Sequence, residues 1–403
     1  MRWWDRLRGK GVPTPGLRKS LGNMIFSSWI NVLFIFLPFA WTSHFLTDAG
    51  RWPHELTFAL CFVSIIPLDK MFDWGGEQMT LYISSELGEL VSLALNNAVE
   101  AALAIILLCK CELRLLQATV IGVVVLHALL IPGTAFWVGG VTILEQHLIP
   151  HRTKLNHSLL VVGVLTILLP STLFASLDRG AEAIAADGTA TYAGNVVSDY
   201  MRGEILKMSR GLAVMLLAVY VASRIFLFHS APVADAMLQP PPNMPLEVKR
   251  REMNLRYVNP EIHPLACIML LGVTVTLMCV TAEFLVESID DLRGQGHIRE
   301  EWFGLILLPI VSFSADGCIV IAYCARSMWN HITGKQTVIP SELAKGRAID
   351  LSIQYTLFWL PFFVLLGWWM GKPMSMLFDF YELGVVLSAC FVVNYVTADS
   401  KTD

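Results

Sequence analysis

Apolar residues fall along this chain in long, nearly uninterrupted runs, not in the period-two alternation of half-buried strands, and the polar positions collect between the runs. A helix rises about 1.5 Å per residue, so roughly 20 apolar residues cross a hydrocarbon core of about 30 Å. The runs predict helices at residues 24–46, 55–82, 88–109, 114–138, 155–177, 203–228, 263–287, 300–326, 347–370 and 374–397. The expected architecture is an all-α polytopic membrane protein with about 10 transmembrane helices. Pro240, Pro241 and Pro242, followed by VKRREMNLR, mark residues 229–262 as a cytosolic linker between two hydrophobic halves, 24–228 and 263–403.

Composition narrows the class. The chain is 55% hydrophobic and 15% charged, with mean hydropathy +0.58, too apolar for an average soluble domain. The N-terminal 23 residues are basic and carry no apolar run ahead of a small-residue cleavage site, so the first apolar helix is expected to act as its own signal. Lys and Arg gather in that segment, around Arg152 and Lys154, in the 249–256 run, and around Arg326, Lys335, Lys345 and Arg347. Asp178, Glu182, Asp187 and Asp199 gather in a loop of the opposite class. The positive-inside rule puts the basic loops and the N-terminus in the cytosol. The eight cysteines sit mostly inside apolar runs without Cys-x-x-Cys spacing and read as small packing residues, Cys109 and Cys111 at a helix end included.

The acids inside the runs carry the chemistry. An ionised carboxylate at the bilayer centre costs about 2.5 to 3.5 kcal/mol on insertion scales, so it needs a partner, water, a proton or a cation. Glu100 follows Asn97 by three residues on one helical face, a hard-oxygen pairing that suits Ca²⁺ better than a soft metal. Asp316 has Ser312 one turn before it and Ser314 close by. The plainer reading of both is a hydrogen-bonded group that locks helices together. Glu77 and Glu283 lie nearer the ends of their helices, where solvation is cheap. Asp69, Lys70 and Asp73 form a local charge cluster in which Lys70 reaches Asp73, lowering the cost of insertion. Asp350 and Gln354 share a face and are candidates for a cavity wall, with ordinary solvation at the cytosolic end the plainer account of Asp350. His127 and Pro132 interrupt the fourth run, and His127 reads first as an interhelical donor.

The halves echo each other weakly. Glu77 opens a helix-loop-helix unit that ends in LALNNAVEAALAI, and Glu283 opens another that ends in LLPIVSFSADGCIVI. The first unit enters from outside and the second from inside, the inverted plan common among secondary transporters. No Walker loop, GxSxG elbow or His-Glu-x-x-His pattern supports an enzyme.

At NNAVE (Asn96 to Glu100), preceded by IIPL and GGEQM, the chain resembles the vacuolar Ca²⁺/H⁺ exchangers of the cation/Ca²⁺ exchanger superfamily. The resemblance continues through LLQATVIG, NHSLLVVGVLTILLP, MSRGLAVMLLAVYVA, AEFLVESID, GLILLPIV, LSIQYTLFWLPFFVLLGW, FDFYELGVVLS and VVNYVTADSK, covering roughly 24–402. It implies one leading helix followed by two inverted five-helix repeats. It further implies that Glu100 and Asp316 are the signature acids that bind Ca²⁺ and exchange it for protons, with Asn97 a supporting ligand. Glu77 and Glu283 become acids of the access paths, and Gln354 a cavity glutamine. The chain departs from the pattern where the second signature, Gly-Asn-Ala-Ala-Glu-His, reads Ser312, Phe313, Ser314, Ala315, Asp316 and Gly317. It also has Asn96 for Gly, Leu126 and His127 for Ser-Asn, Asp350 and Leu351 for Gly-Ser, and a foreign Lys70. The final family helix has no counterpart before Asp403.

The expected function is exchange of Ca²⁺ for H⁺ across a vacuolar membrane, contributing to cytosolic calcium homeostasis. It requires no cofactor beyond the transported ions and no nucleic acid. Partners are Ca²⁺, protons, the lipid bilayer and, for a homo-oligomer, a second copy of the chain. The alternatives are a transport-inactive homologue acting as scaffold or regulator, to which Phe313 points, and an exchanger with altered cation selectivity.

Overall fold

The computed structural model describes residues 15–48, 52–83, 85–140, 146–147, 150–184, 199–229, 260–294, 302–332, 348–398 and 401–402. Most of the expected linker, the first fourteen residues, the side chains of the acidic loop, and Lys335, Lys345 and Arg347 lie outside the described residues.

The elements are α1 (Leu17–Ile25), a 3₁₀ segment (Trp29–Ile35), α2 (Phe36–Asp48), α3 (His54–Thr80), α4 (Ser85–Asn96), α5 (Ala98–Lys110) and α6 (Leu113–Val125). A π-helical turn (Leu126–Leu130) leads into α7 (Ile131–Gly140), then β1 (Gln146–His147), α8 (Pro150–Ile184), α9 (Asp199–His229) and α10 (Pro264–Gly294). A second π turn (Phe303–Leu307) opens α11 (Leu308–Ile332). A third (Tyr355–Trp359) joins α12 (Ala348–Gln354) to α13 (Leu360–Trp369), ahead of α14 (Phe380–Val396) and β2 (Lys401–Thr402). The two-residue strands pair with each other, antiparallel.

Seven helical stretches among the described residues are long and apolar enough to cross a membrane: Trp29–Thr47, Leu113–Thr134, Thr153–Ser176, Arg202–Leu227, Pro264–Ile289, Phe303–Arg326 and Ile349–Trp369. The other three runs expected from hydropathy are helical too, but each falls short for a physical reason. Helix α3 carries Asp69, Lys70, Asp73 and Glu77 in its second half. The run at 88–109 breaks at Asn97 into helices of 12 and 13 residues. Helix α14 has 17 residues, a rise of about 26 Å. Leu113–Thr134 and Ile349–Trp369 are mostly covered by protein, whereas Thr153–Ser176 leaves Val161, Leu165, Leu169 and Leu173 exposed at four-residue spacing, one apolar face suited to lipid.

The chain divides into two compact units: Met1–Leu103 with Ala222–Gln295, and Ala104–Val221 with Gly296–Asp403. In the first, α3 and α10 pack with the end of one beside the start of the other. Tyr82 Oη donates to the Ile262 carbonyl at 2.6 Å, Glu261 N donates to Gln78 Oε1 at 2.8 Å, and Cys267 Sγ donates to the Gly75 carbonyl at 3.2 Å. A Cβ on Gly75 would lie 3.0 Å from Leu271 Cδ2, so glycine there lets the helices approach. Met71, Ile262, Ala266, Cys267 and Leu270 form the apolar seam. Helix α1 fixes the start of α10 through Ser20 Oγ, which accepts from His263 N at 2.9 Å.

In the second unit, backbone meets backbone where the π turn Phe303–Leu307 crosses α6. A Cβ on Gly122 would stand 2.4 Å from the Leu305 carbonyl oxygen, and one on Gly304 2.5 Å from Ala118 Cβ. Small residues at such a crossing let dispersion contacts substitute for the hydrophobic drive that lipid does not supply. The segment before α14 is pinned by side chains: Ser209 Oγ accepts from Met376 N, Ser171 Oγ from Phe378 N, both at 3.1 Å, and Gln117 Nε2 donates to the Ser375 carbonyl at 2.9 Å. Asp379 and Glu382 then close a capping box at the start of α14. Lys372 Nζ donates to the Leu108 carbonyl at 2.8 Å and also to that of Cys109, supplying the end of α5 with a cation. Contrary to the packing role expected for them, Cys109 and Cys111 are exposed. The cause is local: Cys111 turns the chain out of α5 at φ 66°, with its N–H on the Leu108 carbonyl and that of Glu112 on the Leu107 carbonyl.

Candidate functional site

The first unit holds Glu77, Asn97, Glu100 and Glu283. Asn97 is the break between α4 and α5, and its carbonyl accepts from Ala101 N at 3.0 Å, which makes it the cap of α5. Glu100 is then the third residue of that helix, so Asn97-Ala98-Val99-Glu100 has the spacing of a capping box. Asn97 is 0% and Glu100 3% exposed. A backbone break at membrane depth is tolerated where protein covers it or a cavity adjoins it, which accords with this burial. The arrangement sets a carboxylate at the N-terminal, positive end of α5 and the terminal carbonyls of α4 beside it. Oxygen donors are therefore concentrated at one point, where a hard cation or a proton is the natural counter-charge.

Glu77 is half-buried near the end of α3, and Glu283 is exposed near the end of α10. Because the end of α3 packs on the start of α10, the two acids stand toward opposite ends of this helix pair. Asp69 and Lys70 are buried in α3 at 6% and 8% exposure, with Asp73 half-buried one turn on. An ammonium so far from water is stable only among carboxylates, consistent with the charge cluster expected there.

The second unit holds Asp316, Asp350 and Gln354. Asp316 is half-buried within α11, which runs unbroken from Leu308 to Ile332. Ser312 Oγ donates to the Pro309 carbonyl at 3.3 Å and Ser314 Oγ to that of Val311. Each hydroxyl proton is thus spent on its own helix, leaving oxygen lone pairs to face neighbours. Phe313 lies along the helix over Gly317, where a Cβ would come 3.3 Å from Phe313 Cε1. The aromatic ring and the missing side chain are thus one packing arrangement.

Asp350 is 4% exposed and Gln354 3%. The solvation expected for Asp350 is therefore corrected: α12 is packed by α6, α7, α8 and the π turn Leu126–Leu130, which withdraw its first turn from water. His127 lies in that π turn at 2% exposure, and Ser352 Oγ donates to the Val124 carbonyl at 3.2 Å at the edge of the widened turn. Sequence reasoning found the interruption at His127 but missed the three π turns, all in the second unit. Such turns collect at functional sites. Among the described residues, no three His, Cys, Asp or Glu side chains converge as a metal-binding group. An ion bound here would have to draw on amide, hydroxyl, backbone or water oxygens beside its carboxylates.

Several known proteins are similar to this chain. The profile described as sodium/calcium exchanger protein matches residues 266–401. A vacuolar calcium ion transporter of Cryptococcus neoformans var. grubii is 27% identical, over 95% of this chain and 72% of its own length. A Ca²⁺/H⁺ antiporter of Synechocystis sp. is 26% identical, over 92% of this chain and 91% of its own. The solved structure of native YfkE superposes with a TM-score of 0.63 at 18% identity, covering 91% of this chain and 92% of that one, a likeness of fold.

Proposed function

We propose, from the premise that this chain is a divergent relative of the vacuolar Ca²⁺/H⁺ exchangers, that it is an integral protein of a vacuolar membrane exporting Ca²⁺ from the cytosol in exchange for protons. The observation that carries the proposal is Glu100: an acid 3% exposed, three residues past a helix break, with Asn97 capping the same turn. Such a carboxylate is stable in the membrane with a cation or with a proton, and exchange of one for the other is antiport.

In this reading Glu100 in the first unit and Asp316 in the second are each an acid that takes a transported ion or a proton, and Asn97 lends its amide oxygen beside Glu100. Luminal acid protonates these carboxylates and favours release of the ion; deprotonation toward the cytosol restores the oxygen ligands. Glu77 and Glu283 serve the cytosolic and luminal access paths, with Asp350 and Gln354 along the path of the second half. Ten crossings, a cytosolic N-terminus and linker, and a leading helix ahead of two inverted repeats complete the arrangement, with rocking of the repeats giving alternating access.

The test is Ca²⁺ uptake into vesicles containing the protein, driven by an inside-acid gradient, beside a Glu100→Gln variant. Uptake that collapses with a protonophore and vanishes in the variant is the expected result. Equal silence of both proteins, when folded and inserted, would overturn it.

A further inference from the structure

Helix α2 precedes both repeats and has no part in the exchange described above, yet it is fastened to both helices of the first unit that carry path acids. Thr57, in the first turns of α3, bonds Ser43 and Thr47, each at 2.7 Å between hydroxyls. On the other side Trp41 Nε1 donates to Thr281 Oγ1 of α10 at 3.2 Å. The Phe284 ring is clasped by three residues of α2: Trp41 edge-on at 6.3 Å, Phe45 edge-on at 6.0 Å, and His44 stacked at 3.9 Å with 16° between the planes. The stack holds His44 Nε2 at 3.5 Å from Glu287 Oε2, with the histidine side chain 13% and the glutamate side chain 41% exposed.

Phe284 follows Glu283, and Glu287 lies one turn beyond Glu283 on the same face of α10. The imidazole is therefore built into the surroundings of the path acid by an element outside the repeats. Histidine is the side chain whose ordinary titration falls between neutrality and mild acid. We propose that His44 and Glu287 are a proton-responsive positioning pair through which the leading helix sets the luminal acidity at which the Glu283 path lets the ion go. The inference rests on the exchanger reading and on Glu283 serving the luminal side.

The sign follows from charge. With His44 neutral, Glu287 adds a negative charge one turn from Glu283, and the path holds cations. With His44 protonated, the imidazolium offsets that charge, the negative potential at Glu283 falls, and release is favoured. The other titratable groups on the packed elements are Cys267, Cys279, Asp290, Asp291 and Arg293 on α10, with Cys279 one turn before Glu283, and, on α3, His54 and Glu55 in its first turn followed by Cys61, Asp69, Lys70, Asp73 and Glu77; the segment Trp29–Ile35 carries none. His54 is the group that could imitate the effect, so it is the control.

The experiment measures initial Ca²⁺ uptake by the full chain in proteoliposomes against luminal pH, at fixed external pH. The proteins are wild type, His44→Phe, Glu287→Gln, their double variant and His54→Gln. Phenylalanine keeps the stack on Phe284 and removes the titration. The expected result is an unchanged maximal rate with the midpoint moved to more acid luminal pH by about 0.5 unit in His44→Phe, the size of one charge screened at 6–7 Å. Glu287→Gln moves it toward neutrality, the double variant matches Glu287→Gln, and His54→Gln leaves it in place. A second readout needs no transport: the hydrogen-exchange protection of residues 41–47 in detergent, after division by the intrinsic exchange rate at each pH, should be greater at pH 5.5 than at pH 7.5 in wild type, with the difference absent in either single variant. An unmoved midpoint with pH-independent protection overturns the pair, as does a His44→Phe shift that survives in the double variant. Silence of wild type in transport with the exchange difference intact overturns the exchanger reading and leaves a proton-responsive pair.

Discussion

Glu100 and Asp316 are the two acids assigned to the ion in the proposed exchange, and the structure treats them differently. Glu100 stands at a break, one turn into a new helix, 3% exposed. Asp316 stands within an unbroken helix, half-buried, between serines that donate to their own backbone and a phenylalanine folded over Gly317. The first acid has helix-terminal N–H groups, terminal carbonyls and an amide around it; the second has hydroxyl oxygens and a shorter side chain. The lesson is that two acids proposed for one exchange need not share its work equally. A carboxylate held at a helix terminus and removed from water is the stronger ligand and the more sensitive to loss.

That asymmetry can be broken most severely at the acids. Glu100→Gln should lower proton-driven Ca²⁺ uptake by about a hundredfold or more, since breaking a buried charge pairing costs about 3 kcal/mol or above. Asp316→Asn should cost only about tenfold, because a half-exposed charge is screened by solvent. Equal losses in the two variants would erase the distinction. The comparison also depends on how α11 is anchored by the π turn ahead of it, which packs on α6. Gly122→Ala would force a Cβ to within 2.4 Å of the Leu305 carbonyl, and should destabilise the protein by about 1 to 3 kcal/mol. Its thermal unfolding midpoint in detergent measures this, and an unchanged midpoint would show that the crossing is slack.

Smaller effects sharpen the picture. Phe313→Asn returns an amide near Asp316 and should tighten equilibrium ⁴⁵Ca binding by about fivefold, about 1 kcal/mol for one added oxygen donor. Weaker binding would mean that the ring supports the half-site instead of depleting it. The mildest change is at the far end of the Glu100 helix, where Cys111 adopts a left-handed conformation. Cys111→Gly removes a side-chain clash worth about 1 kcal/mol and should raise the unfolding midpoint without altering uptake.

Among the described residues each of the ten apolar runs is helical, because the free energy of taking a side chain out of water is local and nearly additive, while the short helix Leu17–Ile25 ahead of them was not anticipated. Hydropathy overstated continuity at 88–109. An apolar sum averages across Asn96 and Asn97, whereas the backbone breaks there; the signal that was present is Asn97 followed three residues later by Glu100, the spacing of a capping box. The interruption at His127 was visible as a polar group and a nearby proline in an apolar run. The π turns at Phe303–Leu307 and Tyr355–Trp359 left no such mark, since their residues are as apolar as their neighbours. Asp350 was misjudged for a related reason: its distance from the end of a run suggested water, while the helices packed on α12 removed it. Cys109 and Cys111 erred the other way, apolar by neighbourhood but turned outward by the end of α5.

What the sequence determined by itself is the set of apolar runs, the acids embedded in them and the residues available to meet an ion, all of which follow from the chemistry of each side chain and its near neighbours. The tertiary structure decided which acid is sealed from water, which helix is broken, where backbones touch at Gly122 and Gly304, and that the leading helix reaches Glu287 through His44. These depend on partners far apart in the chain. Burial and close approach are properties of pairs of elements, and no sum over single residues contains them.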